Sequence, residues 1–219
     1  MFPAVSPNRP LLVIASHNQG KLAEIKSLLA PCRIEAQSAL ALGFDREIAE
    51  TGTTFMENAL LKAQTLAAAL QLPALADDSG LEVDALAGAP GVHSARFAAA
   101  VRNDRNNNAK LLAALRTTPM AERAARFRCV MAIVAPDGAE YLVEGVTEGL
   151  IGLEPRGTGG FGYDPLFCLA EAGLTMAELT PSEKNKYSHR GKALRQALRV
   201  IQTIRSVSPP RENASEAEG

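Results

Sequence analysis

Asp77-Asp78-Ser79-Gly80 sets two carboxylates and a hydroxyl directly after the short apolar run Ala74-Leu75-Ala76. Adjacent carboxylates repel unless a cation or hydrogen-bond donors stand between them, so a hard ion such as Mg2+ is their natural partner. Strand ends in α/β proteins are also where ligands bind. Glu50, just ahead of Thr51-Gly52, offers a third oxygen ligand. The same residues equally make a solvated turn with a capping aspartate, and spacing alone does not separate the two readings.

Ser16-His17-Asn18-Gln19-Gly20-Lys21 brings hydroxyl, imidazole, amide and ammonium groups into six residues at a strand-to-helix junction, the composition of a phosphate cradle. It is not a P-loop, because Ala15 stands where that motif needs its first glycine and Leu22 where it needs Ser or Thr. The competing reading is a plain connection in which Asn18 caps the helix. Gly157-Thr158-Gly159-Gly160-Phe161-Gly162 matches the dinucleotide fingerprint at its glycines. Context rejects the match: no apolar strand precedes it, and Tyr163-Asp164-Pro165 cannot open a long helix. The segment reads instead as a loop that approaches a ligand closely, with Phe161 or Tyr163 able to stack on a flat ring, or as a bulge between strands. Lys184, His189 and Arg190 flank a turn and offer donors that suit a purine with O6 as acceptor rather than the amino group of adenine. As isolated charges they are also ordinary solvated residues at a helix start. His93 has no spacing that suggests a metal site with His17.

These groups need elements to hold them. Leu11-Leu12-Val13-Ile14-Ala15 reads as a strand covered on both faces, and Leu22, Ile25, Leu28 and Leu29 continue as a helix until Pro31. Thr54 and Glu57 have capping-box spacing, predicting a helix from Thr54 towards Pro73. Asn107 is a candidate cap for a helix containing Leu111, Leu112 and Leu115. Arg126 to Ala135 and Tyr141 to Thr147, parted by Pro-Asp-Gly, predict a hairpin. Thr180-Pro181-Ser182-Glu183 is a second helix start, and Ala193, Leu194, Ala197, Leu198, Ile201 and Ile204 form the stripe of a last amphipathic helix. Strands alternating with helices, plus a long hairpin, predict an α/β fold with a mixed β-sheet and flanking helices.

At 219 residues and 47% hydrophobic content the chain holds one domain, read as 11–206, with a flexible N-terminus (1–10) and a disordered tail (207–219). A net charge of −1 supplies no basic field for a polynucleotide, so a nucleic-acid component is a small ligand. No apolar run reaches the roughly 18 residues of a membrane span. Cys32, Cys129 and Cys168 lack paired spacing, which suits a reducing cytoplasm.

Taken in order, these segments resemble the inosine/xanthosine triphosphate pyrophosphatase family from Leu11 to Ile204. The resemblance rests on Ser16 to Lys21, Glu50 to Ala59, Asp77 to Leu81, Gly88-Ala89-Pro90-Gly91, Gly157 to Pro165 and Ser188-His189-Arg190-Gly191, six motifs in register. It implies two lobes around a central nucleotide-binding cleft, usually in a homodimer, hydrolysing ITP, dITP and XTP with Mg2+. By similarity Ser16, His17, Asn18, Gln19, Gly20 and Lys21 bind the triphosphate. Glu50 and Asp78 hold the metal, Asp78 is the proton acceptor, and Ser79 touches substrate. Phe161, Gly162, Tyr163, Asp164, Lys184, His189 and Arg190 complete the pocket. The family often reads Thr-Gly-Asn or Ser-Asn-Asn where this chain has Ser16-His17-Asn18. Maf-like pyrophosphatases are a weaker match, since their Ser-x-Ser-Pro-Arg-Arg start is absent. A non-catalytic nucleotide sensor gains little from carboxylates facing phosphate.

Overall fold

A computed structural model describes residues 11–16 and 18–207, with side chains of the last helix described to residue 202. The expectations for residues 1–10, His17, the Ile204 side chain and residues 208–219 lie outside the described residues.

Six strands form one mixed sheet: β1 (Leu11–Ala15), β2 (Glu35–Ser38), β3 (Ala74–Val83), β4 (Ala124–Val134), β5 (Glu140–Ile151) and β6 (Phe167–Cys168), in the order β2-β1-β3-β4-β5-β6. β1 is parallel to both neighbours, whereas β3 to β6 are antiparallel. Among the described residues the α-helices are α1 (Gln19–Leu29), α2 (Phe55–Leu70), α3 (Asp104–Ala114), α4 (Pro181–Tyr187) and α5 (His189–Val207).

β1 is buried along its whole length, and alternation sends its side chains to two cores. Leu11, Val13 and Ala15 join Ala59, Ala63 and Leu66 of α2, while Leu12 and Ile14 join Ile25 and Leu29 of α1 and Leu194 and Ala197 of α5. The long strands β3, β4 and β5 continue past this double-covered half into a second lobe. There Leu81, Val83 and Phe127 pack with Leu111 of α3, with Leu115 just beyond its end and with Phe167. α5 lies directly on β5 because Gly145 has no side chain: a Cβ there would stand 2.1 Å from the His189 carbonyl oxygen.

Both predicted capping boxes are present, Thr54 with Glu57 and Thr180 with Glu183, the latter with Pro181 in the first turn. Two expectations need correction. Asn107 does not cap α3; Asn103 does, its side chain accepting from the Asn106 N–H. Asn107 is buried and ties α3 to the Gly91–Arg96 turn, donating to the Ala95 carbonyl at 3.0 Å and accepting from the Ala98 N–H at 2.8 Å. Nor does the strand before the acidic pair stop at Ala76. It runs on to Val83, because β4 pairs with it throughout and supplies the ladder bonds that override the turn preference of Asp-Asp-Ser-Gly.

Candidate active site

The last β1–β3 pair is Ala15 with Ala76. From Asp77 onward β3 has β4 on one side and no strand of β1 on the other, so a cleft opens at the carboxyl end of β1. Two hollows fill it, of about 220 Å³ and about 80 Å³, and both are lined by Asn18, Lys21, Ser79, Ala95 and Arg102. The larger adds Glu50, Lys62, Asp77 and Asp78; the smaller adds Phe161 to Asp164, Lys184, His189 and Arg190.

Strand alternation separates the two aspartates. Ala74, Ala76 and Asp78 face α2, whereas Leu75 and Asp77 face α1 and α5. The pair is therefore not a single repulsive couple awaiting one ion between its members, as adjacency suggests. Asp77 Oδ2 lies 3.0 Å from Lys21 Nζ and 3.3 Å from Arg190 Nε, and accepts from Ser79 Oγ at 2.6 Å. Burial opposes its charge, but Lys21 and Arg190 overcome that and hold the carboxyl well below the ordinary range. Asp78 accepts from Asn58 Nδ2 at 3.1 Å, and its Oδ1 lies 3.8 Å from Lys62 Nζ. Here burial wins over Lys62 and Lys21, and the Asp78 carboxyl is raised. Two neighbouring carboxyls driven in opposite directions is a pattern that assigns different chemical roles.

Lys62 links the predicted metal ligands. Its Nζ donates to Glu50 Oε1 at 2.6 Å and to the Asp77 carbonyl at 2.7 Å. Burial disfavours the Glu50 charge, yet Lys62 outweighs it and lowers the carboxyl. Among the described residues no group of three or more His, Cys, Asp or Glu side chains is placed to hold a metal. Glu50 and Asp78 nonetheless meet at one ammonium at the edge of the larger hollow, so a cation is already accommodated between them.

The phosphate-loop residues are only partly free. Asn18 caps α1, its Oδ1 accepting from the N–H groups of Gly20 at 2.9 Å and Lys21 at 3.2 Å, and Ser16 Oγ accepts from the Asn18 N–H. Asn18 thus caps the helix, as one reading of the segment expects, and Ser16, Asn18 and Lys21 also line the larger hollow. Gln19 is exposed and lines neither hollow. Gly20 lies under the Phe161 ring, so close that a Cβ would stand 2.6 Å from Phe161 Cδ1.

At the other end Phe161 is ringed by cations, with Lys184 Nζ 4.5 Å and Arg190 Cζ 5.6 Å from its centroid. Tyr163 is not a stacking partner: it is buried in the second lobe and its hydroxyl donates to the Ser94 carbonyl at 2.9 Å. Asp164 accepts from Lys184 Nζ at 2.6 Å and from the Phe161 N–H at 2.7 Å. Its carboxyl is raised by burial, against Lys184. His189 stacks on Phe127 at 4.7 Å, and its Nδ1 is buried without a hydrogen-bond partner among the described residues. Burial first, then Arg190 and Lys184, hold this imidazole well below its usual value, so it is neutral near pH 7. Arg190 is a buried structural hub rather than a free surface donor, bonded to Asp77, Ser79 and Glu24.

Sequence reasoning missed Lys62, Glu24 and Asn58. Lys62 had a signal: it falls on the apolar face of α2 with Phe55, Ala59, Ala63 and Leu66, where an unpaired ammonium is not tolerated. Asn58 sits on the same helix between apolar residues. Glu24, which pairs with Lys184 at 2.7 Å and Arg190 at 2.5 Å, belongs to no motif.

Residues 12–200 match the Ham1 family. The dITP/XTP pyrophosphatase of Geobacillus kaustophilus is 52% identical over 183 residues, covering 84% of this chain and 90% of that protein. That of Bacillus subtilis is 46% identical, with 87% and 96% covered. Among solved structures, the Ham1 protein of Staphylococcus aureus superposes with a TM-score of 0.79 at 39% identity, covering 89% of this chain and 99% of that one. A Coxiella burnetii HAM1 protein gives 0.81 at 44% identity, with the same coverage. From β1 to α5, by sequence and by fold alike, the chain belongs to the Ham1 family.

Proposed function

We propose that this chain is a nucleoside triphosphate pyrophosphatase that hydrolyses deaminated purine nucleotides (ITP, dITP, XTP and dXTP) to the monophosphate and pyrophosphate. The observation that carries the reading is the shared wall of the two hollows, with Lys21, Asn18 and Ser79 lining both: a raised carboxyl and its carboxylate partner line one, an aromatic ring with cations the other. The relatives named dITP/XTP pyrophosphatase support the same activity.

Glu50 and Asp78 are the side chains that would hold Mg2+. Two carboxylates fit its habit of binding through one or two protein oxygens and taking the rest from phosphates and water. When bound, such an ion supplies charge neutralisation on the phosphate oxygens. Asp78 orients a water and takes its proton as the oxygen bonds to the α-phosphorus. The bond from the α-phosphorus to the bridging oxygen breaks, and its electron pair leaves with pyrophosphate. Lys21 offsets the charge of the triphosphate, and Asp77, kept ionised, fixes Lys21 and Arg190 in place. Ser16 and Asn18 line the phosphate end, and Ser79 lines both hollows.

Phe161 stacks on the base. Donors from Lys184, His189 and Arg190, on a wall completed by Gly162, Tyr163 and Asp164, favour a 6-oxo group and leave adenine unmatched. We further read the chain as a cytoplasmic homodimer acting on a small nucleotide, with no polynucleotide or membrane partner. Three free cysteines suit that compartment. Among the described residues no helix is long and apolar enough to cross a membrane. Light scattering at twice 23.2 kDa is the expected result for the dimer.

The deciding assay is pyrophosphate release from ITP, dITP, XTP, GTP, ATP and dTTP, with and without Mg2+. Initial rates should favour the first three and vanish without the metal. Preference for GTP or dTTP removes the chain from this role, and tight ITP binding without cleavage converts it into a sensor.

A further inference from the structure

The glycine-rich loop that carries Phe161 is held from the α3 side by a segment without any motif, whose Arg102 and Asp104 also line the smaller hollow. Gly162 is its pivot, with a left-handed φ of 63°. The Gly162 N–H donates to Asp104 Oδ2 at 2.7 Å, and the Gly162 carbonyl accepts from Asn108 Nδ2 at 2.9 Å. Asp104 and Asn108 are four residues apart on α3, so one helix face presents both groups to one glycine. Arg102, just ahead of α3, donates to Asp104 through Nε at 2.9 Å and Nη2 at 3.1 Å, and its guanidinium stands 5.7 Å from the Phe161 centroid. The Phe161 ring is thereby held against Gly20.

We infer that Asp104 and Asn108 are positioning residues for the base end of the cleft, setting Phe161 by clamping both backbone polar groups of Gly162 from α3. The inference rests on the nucleotide reading above and deepens it by naming what fixes the stacking ring. A glycine in a loop has many conformations open to it, and a ring that must be ordered at each encounter weakens binding. The clamp removes that ordering cost before substrate arrives. It touches neither the reacting phosphorus nor Asp78, so it acts on KM and not on turnover.

The test compares wild type with Asp104→Ala and Asp104→Asn, reading ITP kinetics, thermal unfolding and hydrogen exchange of the segment 157–166. Asp104→Ala should speed exchange in that segment alone and raise KM about tenfold, the scale of one lost charge-assisted hydrogen bond, with kcat within about twofold. Asp104→Asn keeps an acceptor for the Gly162 N–H and should recover most of the KM. Faster exchange with an unchanged KM overturns the inference. So does a fall of kcat in step with loosening across the whole chain, which marks a merely structural residue. A wild-type protein inactive on ITP overturns the nucleotide reading itself, and that result is in hand before any variant is compared.

Discussion

Asp77 and Asp78 are joined by one peptide bond, yet their carboxylates lie on opposite faces of the sheet and make different direct contacts. Asp77 is gripped by Lys21 and Arg190 on the α1/α5 side; Asp78 meets Asn58 and Lys62 on the α2 side. Because burial prevails over the neighbouring cations at Asp78 and yields to them at Asp77, Asp78 is suited to take a proton, while Asp77 is suited to keep a charge in place.

Replacing Asp78 by Asn removes the proton acceptor but keeps the size of the side chain. Turnover should fall by about 10²-fold or more, the usual scale for a general base, with circular dichroism and melting temperature close to wild type. Near-normal turnover would remove Asp78 from the role.

Lys62→Met takes the donor away from the Glu50 carboxylate and the Asp77 carbonyl. Leaving the buried Asp77 carbonyl unmatched costs about 1–3 kcal/mol, while the exposed Glu50 can turn to water, so urea unfolding should shift by about that amount and pyrophosphate release should drop. A variant as stable and active as wild type would show that Lys62 holds neither group where it is needed.

Acid should destabilise the fold through Asp77 and Glu24. Burial disfavours each charge, but Lys21 and Arg190 lower Asp77, and Arg190 and Lys184 lower Glu24, against ordinary values of 3.8 and 4.5. A depressed carboxyl contributes stability that is complete above its unfolded value and lost as pH falls towards its folded one. Asp78 and Asp164 are raised and bind protons more tightly when folded, so they oppose the loss in part. Urea midpoints should therefore decline below about 6.5, where the unfolded chain protonates the imidazole that the fold keeps neutral at His189, and more steeply below about 4.5, that second fall being shallower in Asp77→Asn. A wild-type midpoint that holds constant from pH 6 to pH 3 contradicts the ion network.

Gly20→Ala tests the contact between the phosphate loop and Phe161. The new methyl group would stand 2.6 Å from the ring, which must swing aside, whereas alanine itself suits a helix. Melting temperature should hold or rise while KM for ITP increases several-fold, on the order of the 1–3 kcal/mol typical of overpacking. An unaltered KM would mean that Phe161 is not seated there when substrate binds.

Local rules carried much of the fold. Thr54 with Glu57 and Thr180 with Glu183 mark helix starts because a capping box needs only four consecutive residues, and the five apolar residues of β1 announce a strand covered on both faces. Lys21, Asp78 and the Phe161 loop were legible as chemistry, and six motifs in register pointed to one family. What the chain alone could not decide depended on pairing across long separations. Asp-Asp-Ser-Gly carries turn preferences, but ten registered partners on β4 draw it into a strand, and pleating then sends the two aspartates to opposite faces. Glu24 reaches Arg190, 166 residues away, through the packing of α1 beside α5. No local pattern encodes that contact, because a buried charge is stabilised by whichever opposite charge the folded layers bring beside it.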